Sequence, residues 1–570
     1  MLDALLLSVL RAVRRALAPL LSGALAPLVA PLLAPLAALL PATSMATSMA
    51  ERAATPVRPR AALAAPSLVV VIVVDQFRGD YLDRFGPQLT GGLARLVREG
   101  TVFPRAVHDH AITETAPGHA AVLSGRFPRG TGIVGNLFGV GDAAYPLLPP
   151  DSTPGDGASP RRFRGTTLVD WMRAAEPRTR VLSVSRKDRG AILTVGRAGA
   201  AERVEAFWYA PSGRFTTSRW YAGSNGTLPD WLVRLDTRAR AHALAGSAWT
   251  PLLDSASYPE PAAVPATGGW SRPFPHVLPE DEDGAAQLLL AVPAMDALTL
   301  DVALAGARAR GLGTGAWPDL LVVSLSTTDA VGHQYGPDSR ELHDQVLRLD
   351  RALGTFLDSL LVGRDPSRVV VALTSDHGIT RMPETAGGGA RRVDAEALVA
   401  PLREWLASRG VTSWGVFLDN GALYVDREGL RAARVKEDDL LRRAEALLRG
   451  TAGVARVDRV AALARADTVH DAVARRWLHT LPPDLPVPLV ATLTEGSVWS
   501  GRVAAEHGSP HDADAVVPLI LWGAPFRAGR EERAVRVVDL APTLARVLGV
   551  RPSEPLDGRV LDGALVGGRW

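Results

Sequence analysis

The sequence predicts an α/β protein built on a mostly parallel central sheet with helices on its faces. Short β-branched runs such as Leu68–Val74 (LVVVIVV), Asp319–Leu325 (DLLVVSL) and 368–373 (RVVVAL) lack polar alternation, as strands buried on both faces do. These runs lead into charged residues, and open α/β sheets collect ligands beyond the carboxyl ends of their strands. The 570 residues are 47% hydrophobic and 22% charged, a globular composition sized for one large domain with insertions or two to three ordinary ones.

In chain order, residues 1–50 read as an export signal. Arg11, Arg14 and Arg15 precede an uncharged Ala/Leu/Pro stretch over 16–50, and small residues around Thr43-Ser44-Met45-Ala46 offer cleavage sites. Pro19, Pro27, Pro31, Pro35 and Pro41 would break a spanning helix, so no stable membrane partner is expected. The expectation is a periplasmic or secreted protein, or a cytoplasmic one if translation starts at Met45 or Met49. Residues 51–66 read as a linker and 67–565 as the catalytic domain. Within it, the Gly- and Pro-rich segments 137–180, 196–300 and 384–500 are expected to be insertions that cap the site.

Charge and composition narrow the chemistry. Basic minus acidic residues come to 63 − 60 = +3, too little to mark a binder of nucleic-acid duplexes. The absence of cysteine excludes thiol nucleophiles, disulfides and thiolate metal sites, so any metal is held by Asp, His, Glu or hydroxyl ligands. Lys187 and Lys436 are the only lysines, and Asn136, Asn225 and Asn420 the only asparagines. A lysine or asparagine inside a chemically suggestive segment therefore carries extra weight.

The strand ends supply such segments. Leu68–Val74 runs into Asp75, 180–185 (RVLSVS) into Lys187 and Arg189, Asp319–Leu325 into Asp329 and His333, and 368–373 into Asp376-His377. His507 stands shortly before Val516–Trp522. Between the first two runs, Thr113-Glu114-Thr115-Ala116-Pro117-Gly118-His119 precedes an apolar stretch, and proline marks a helix's first turn. Thr115 then stands at or near the N-cap, beside free N–H groups and the positive end of the helix dipole, where a phosphate or an alkoxide is favoured. Singly, each aspartate fits a helix cap as well as a ligand, and Thr115 fits a plain cap as well as a nucleophile awaiting a metal or base. Jointly, their placement at strand ends points to one crevice. His108-Asp109-His110 and His119 are expected to be structural, and Phe207, Trp208 and Tyr209 to fill core.

The ordered set Asp75, Thr115-Ala-Pro-Gly-His119, Gly135-Asn136, Lys187-Asp-Arg189, Thr328-Asp329-x-x-Gly-His333, Ser375-Asp376-His377-Gly378 and His507-Gly508 resembles the alkaline phosphatase superfamily. It is most similar to the monomeric, phosphate-irrepressible (PafA-like) zinc alkaline phosphatases, over about residues 68–561. The resemblance implies a three-layer sandwich with cap insertions, acting as a monomer on small-molecule phosphate monoesters. It implies two zinc ions, one held by Asp329, His333 and His507, the other by Asp75, Asp376 and His377 with Thr115 completing its shell. Thr115 would be the nucleophile, forming a phosphothreonine. Asn136, Lys187 and Arg189 would bind the substrate's phosphoryl oxygens, a set that marks the monoesterases, and a lysine there would make a third, magnesium-type ion unnecessary. The alternatives are a phosphodiesterase or nucleotide pyrophosphatase of the same superfamily and, more remotely, a non-catalytic phosphate-binding relative.

Overall fold

The computed structural model describes residues 64–567 apart from 149–156, 262–272 and 500–502. The expected export signal and most of the linker lie outside the described residues. Leu68–Val74 lies at the heart of a 12-stranded sheet. It pairs in parallel with Asp319–Leu325 on one side and Val369–Thr374 on the other, with Leu68 opposite both Asp319 and Val369. Val181–Ser185 and then Val204–Tyr209 continue the parallel run beyond Asp319–Leu325.

The β-branched runs are buried throughout because helices cover both faces. Val70, Ile72 and Val74 pack with residues of Gly92–Glu99, Ala294–Ala309 and Arg340–Leu361 in one core. Val69, Val71 and Val73 pack with residues of Thr115–Ser124, Leu168–Ala175, Asp188–Leu193 and Leu540–Leu548 in another. The result is a three-layer α/β sandwich. Among the described residues no single helix is long and apolar enough to cross a membrane.

Two expectations need correction. Segments 196–300 and 137–180 do not lie wholly outside the sheet. Val204–Tyr209 joins it, and Phe215–Ser218, Gly141–Leu148 and Gly157–Ala158 extend it antiparallel to its edge. The reason is burial: Phe207 and Trp208 belong to opposite cores, which only a strand inside the sheet can serve. Segment 384–500, by contrast, builds a second sheet. Its antiparallel sheet runs in the order Val416–Asp419, Ala422–Val425, Leu489–Leu493, Val454–Arg459, over a core of its own that includes Val399, Leu402, Leu441 and Leu448.

Val516–Trp522 is antiparallel to Val369–Thr374. Its beginning therefore lies at the end of the sheet where the parallel strands finish, which is how His507, on the loop before it, reaches the same crevice as Asp75 and Asp376.

Candidate active site

Thr115 opens the helix Thr115–Ser124, one position later than a cap: the N-cap is Glu114, in extended conformation. Pro117 falls in the first turn, and Gly118 lets the helix lie against the strand-end loop. A Cβ at Gly118 would stand 2.1 Å from the Asp376 carbonyl oxygen, so the motif needs glycine for close approach.

Six proposed ligands gather in two groups beside this helix. Asp329, His333 and His507 form one, with the Nε2 atoms of His333 and His507 at 3.3 Å and 3.7 Å from Asp329 Oδ1 and 3.1 Å from each other. Asp75 and Asp376 come together in the other, where the nearest imidazole grouping with both is His119, while His377 Nε2 stands 3.4 Å from Asp376 Oδ2. The His377 and His507 rings stack at 3.8 Å, so the groups adjoin. Lys187 Nζ ties them together, at 2.7 Å from Asp75 Oδ2, 2.8 Å from Asp329 Oδ2 and 3.1 Å from Thr115 Oγ1.

Backbone carbonyls choose the tautomers. His333 Nδ1 donates to Ala505 O, His377 Nδ1 to Gly378 O and His507 Nδ1 to Thr113 O, each at 2.8–2.9 Å. Each ring therefore turns Nε2 toward the carboxylates, the arrangement used to orient metal-ligating imidazoles. Burial holds His377 down at about 3 and His507 well below the ordinary range, so both are neutral near pH 7. Burial also opposes the His333 cation, but Asp329 overrides it and lifts the group to about 9. Burial works against ionised Asp329 too, yet Lys187 and His333 keep its carboxyl well below the usual range.

This donor set fits divalent cations. Asp376 Oδ2 and His377 Nε2 are buried without a hydrogen-bond partner. Two imidazole Nε2 atoms facing one another across 3.1 Å call for a cation or a proton between them. All six side chains offer the nitrogen and oxygen donors that zinc accepts.

His119 also lies within ligand distance of Asp75 and Asp376. Both its nitrogens are engaged, however, Nδ1 with Thr115 O at 2.9 Å and Nε2 with Ser324 Oγ at 3.0 Å. Its Nδ1 also stands 3.2 Å from Asp376 Oδ2 and its Nε2 3.4 Å from Asp75 Oδ1. His108 Nε2 bonds Ser375 O, and Asp109 pairs with Arg475, so neither belongs to the ligand groups.

Two phosphoryl-binding candidates, Lys187 and Asn136, stand at Thr115 and the residue after it. Asn136 Oδ1 accepts from Ala116 N at 3.0 Å, which commits the oxygen and leaves the Nδ2 donors for a ligand. Arg189 carries a buried Nε with no partner, and its nearest carboxylate, Asp188, is 3.8 Å away.

Sequence reasoning missed four neighbours. Arg186 is buried with Nη2 3.8 Å from Asp329 Oδ2, adding a third cation to this turn. Glu114 accepts from Asn136 N at 2.7 Å, and Asn420, from the hairpin turn of the separate sheet, bonds Glu114 in turn. Gln76 reaches a carboxylate in each ligand group. Only the scarcity of asparagine pointed toward Asn420; Glu114 stood inside the Thr115 motif, and Gln76 directly after Asp75.

The sequence profile of the type I phosphodiesterase / nucleotide pyrophosphatase family matches residues 69–473. The chain belongs to that family. Alkaline phosphatase PhoK of Sphingomonas sp is 33% identical over 89% of this chain and 92% of its own length. Alkaline phosphatase PafA of Elizabethkingia meningoseptica is 26% identical over 86% and 93%. The crystal structure of wild-type PafA superposes with a TM-score of 0.79 at 24% identity, covering 89% of this chain and 100% of that one. This type I phosphodiesterase family member thus has the alkaline-phosphatase fold over the whole region that carries its ligand groups.

Proposed function

We propose that the chain hydrolyses phosphate monoesters, with Thr115 as nucleophile and two zinc ions held as the sequence suggested, one by Asp329, His333 and His507, the other by Asp75, Asp376 and His377 with Thr115. The observation that carries this reading is the position of Lys187, which contacts the nucleophile's oxygen and one carboxylate of each ligand group at once. Relatives named alkaline phosphatases, alignable over most of their length, support it.

When bound, the cations supply charge that favours the alkoxide and stabilises the departing oxygen. The chain's own residues do the rest. Thr115 Oγ1 gives up its proton to solvent and attacks phosphorus, an O–P bond to threonine forms, and the ester P–O bond breaks with its electron pair on the leaving oxygen, which takes a proton from solvent. Water then cleaves the phosphothreonine, returning the hydroxyl and releasing phosphate. Lys187, Arg189, Asn136 Nδ2 and the helix N-terminus hold the non-bridging oxygens through both steps.

The family's description favours a second reading, phosphodiester hydrolysis. Lys187, Arg189 and Asn136 weigh against it, because they supply donors and two charges for a dianion that a diester does not present. With the export signal expected over 1–50, the reaction belongs outside the cytoplasm.

Steady-state kcat/KM on an aryl phosphate and on its methyl diester tests the reading. The monoester should be preferred, Thr115→Ala should lose nearly all turnover, and chelation should abolish activity that zinc restores. Charged hydrogen bonds contribute about 1.5–3 kcal/mol each, so replacing Lys187 and Arg189 together by alanine should cut the monoester rate about 10²–10⁴-fold and the diester rate far less. Full monoester turnover by metal-free protein would refute the proposal.

A further inference from the structure

We propose that Gln76 is a positioning residue that sets the two cation sites relative to each other by holding one ligand carboxylate of each. The inference rests on the two-cation reading above and goes beyond it to a residue outside both ligand groups.

Gln76 follows Asp75 at the end of the central strand and is fully buried. Its φ is +62°, in the left-handed region that non-glycine residues seldom enter. Such conformations persist where the surroundings over-determine them, and they cluster at functional sites. Here the left-handed turn has a visible consequence. It directs the side-chain Nε2 to donate to Asp329 Oδ1 at 3.0 Å, while the backbone N–H, fixed by the preceding peptide plane, donates to Asp376 Oδ1 at 3.1 Å. An extended residue would send its side chain elsewhere.

The oxygens contacted are informative. Asp329 Oδ1 is the atom that faces His333 Nε2 and His507 Nε2. One of its lone pairs is turned to the amide, which orients the other toward the imidazoles. On Asp376, Oδ1 is taken by the Gln76 N–H, and Oδ2 faces His119 Nδ1 at 3.2 Å and His377 Nε2 at 3.4 Å. A single residue thus holds one carboxylate oxygen in each ligand group.

The surroundings make room for this amide. A Cβ at Gly332, between Asp329 and His333, would stand 1.8 Å from Gln76 Oε1, so the glycine of the Asp-x-x-Gly-His motif is the space the glutamine side chain occupies. Only the Nε2 end can donate to a carboxylate, which settles the amide's orientation.

The two bonds are separable by mutation. Gln76→Asn tolerates a left-handed backbone and keeps the N–H on Asp376, but its amide is one carbon short of Asp329. Gln76→Gly keeps the same N–H, relieves the unfavourable φ and has no side chain at all. Partners outside the ligand shell typically govern metal affinity by about 10–100-fold. Zinc titration of the full chain against a competing chelator, with Co²⁺ substitution to read each site's visible absorption, should therefore show an asymmetric loss. In both variants one ion binds as in wild type. The other weakens about 10–100-fold, and the cobalt band that changes belongs to the site lost in a His333→Ala control. Thermal midpoints of the metal-free variants should equal or exceed wild type for Gln76→Gly.

Wild-type affinity for both ions in the variants would overturn the inference, as would equal weakening of both. Fewer than two ions on the wild-type chain would instead overturn the two-cation reading itself, so the two failures are distinguishable.

Discussion

An alanine at position 118 would place its Cβ 2.1 Å from Asp376 O, 2.7 Å from Asp376 C and 2.8 Å from Asp376 Cα. Real Cβ contacts essentially never fall under 3.0 Å, so at least 3.0 − 2.1 = 0.9 Å must open between the helix Thr115–Ser124 and the loop after Val369–Thr374. Every atom in the clash is backbone, and no rotamer change relieves it. Thr115 lies one turn upstream on the helix and Asp376 is itself a proposed ligand, so this gap separates the nucleophile from the cation that would activate it. A misplacement of about 1 Å in a reacting pair costs about 10²-fold in rate. Helix propensity alone would favour alanine by about 1 kcal/mol, whereas overpacking costs about 1–3 kcal/mol, so the fold should weaken only modestly. The assay is kcat/KM on an aryl phosphate, corrected for folded fraction, alongside the thermal midpoint. Gly91→Ala is the control. Its Cβ would stand 2.3 Å from Asp350 O, a similar backbone clash, where Gly92–Glu99 meets Arg340–Leu361 away from the site. Both variants should lower the midpoint, and only Gly118→Ala should lower kcat/KM of the folded protein. A folded Gly118→Ala enzyme with wild-type kcat/KM would show that this contact does not set the catalytic geometry.

Two further outcomes follow from buried carboxylates. Asp296 accepts from Thr327 N and Gln345 Nε2, and burial pushes it from 3.8 up to about 6. A carboxyl with a raised pKa holds its proton more tightly when folded, so its contribution is greatest below pH 3.8 and is lost as pH climbs through about 6, a change of about 3 kcal/mol. Asp296→Asn does not titrate, and its amide can pair with the unpartnered Gln345 Oε1. Its thermal midpoint should therefore rise relative to wild type between pH 4 and pH 7, and a pH-independent difference would contradict the argument. Asp109, buried beside His479 and Arg475, is the opposite case. Burial alone would raise it, but these partners hold it below the ordinary carboxylate value. Its stabilisation is complete above about pH 4 and disappears as pH falls further. Asp109→Asn should cost about 1–3 kcal/mol at pH 7, below the full value for a buried pair because Arg475 and His479 are partly exposed. Its deficit in thermal denaturation should shrink toward pH 3.

The strand runs and their chemically loaded ends were legible in the sequence because each is a local property. Seven β-branched or apolar residues without alternation at Leu68–Val74 can only be a strand covered on both faces, and the structure buries all seven. The start of the helix at Thr115 followed from Pro117, to within one residue. The proposed ligands were legible as an ordered set, even though their separation runs from Asp75 to His507. Insertions were harder. Val204–Tyr209 carries aromatics expected in a core yet stands inside a Gly- and Pro-rich segment, and nothing local says which edge of the sheet a short strand will pair with.

What the sequence determined by itself was the class of fold and the identity of the side chains that meet. Only the tertiary structure decided how they meet: which imidazole nitrogen faces inward, which partner each oxygen of Asp329 and Asp376 meets, and that Gln76, Arg186 and Asn420 stand among them. The reason is physical. Strand and helix formation answer to neighbours a few residues away, whereas a tautomer, a lone-pair direction or a left-handed φ is imposed by hydrogen-bond partners hundreds of residues distant, such as the Asp376 that lies 300 positions beyond Gln76.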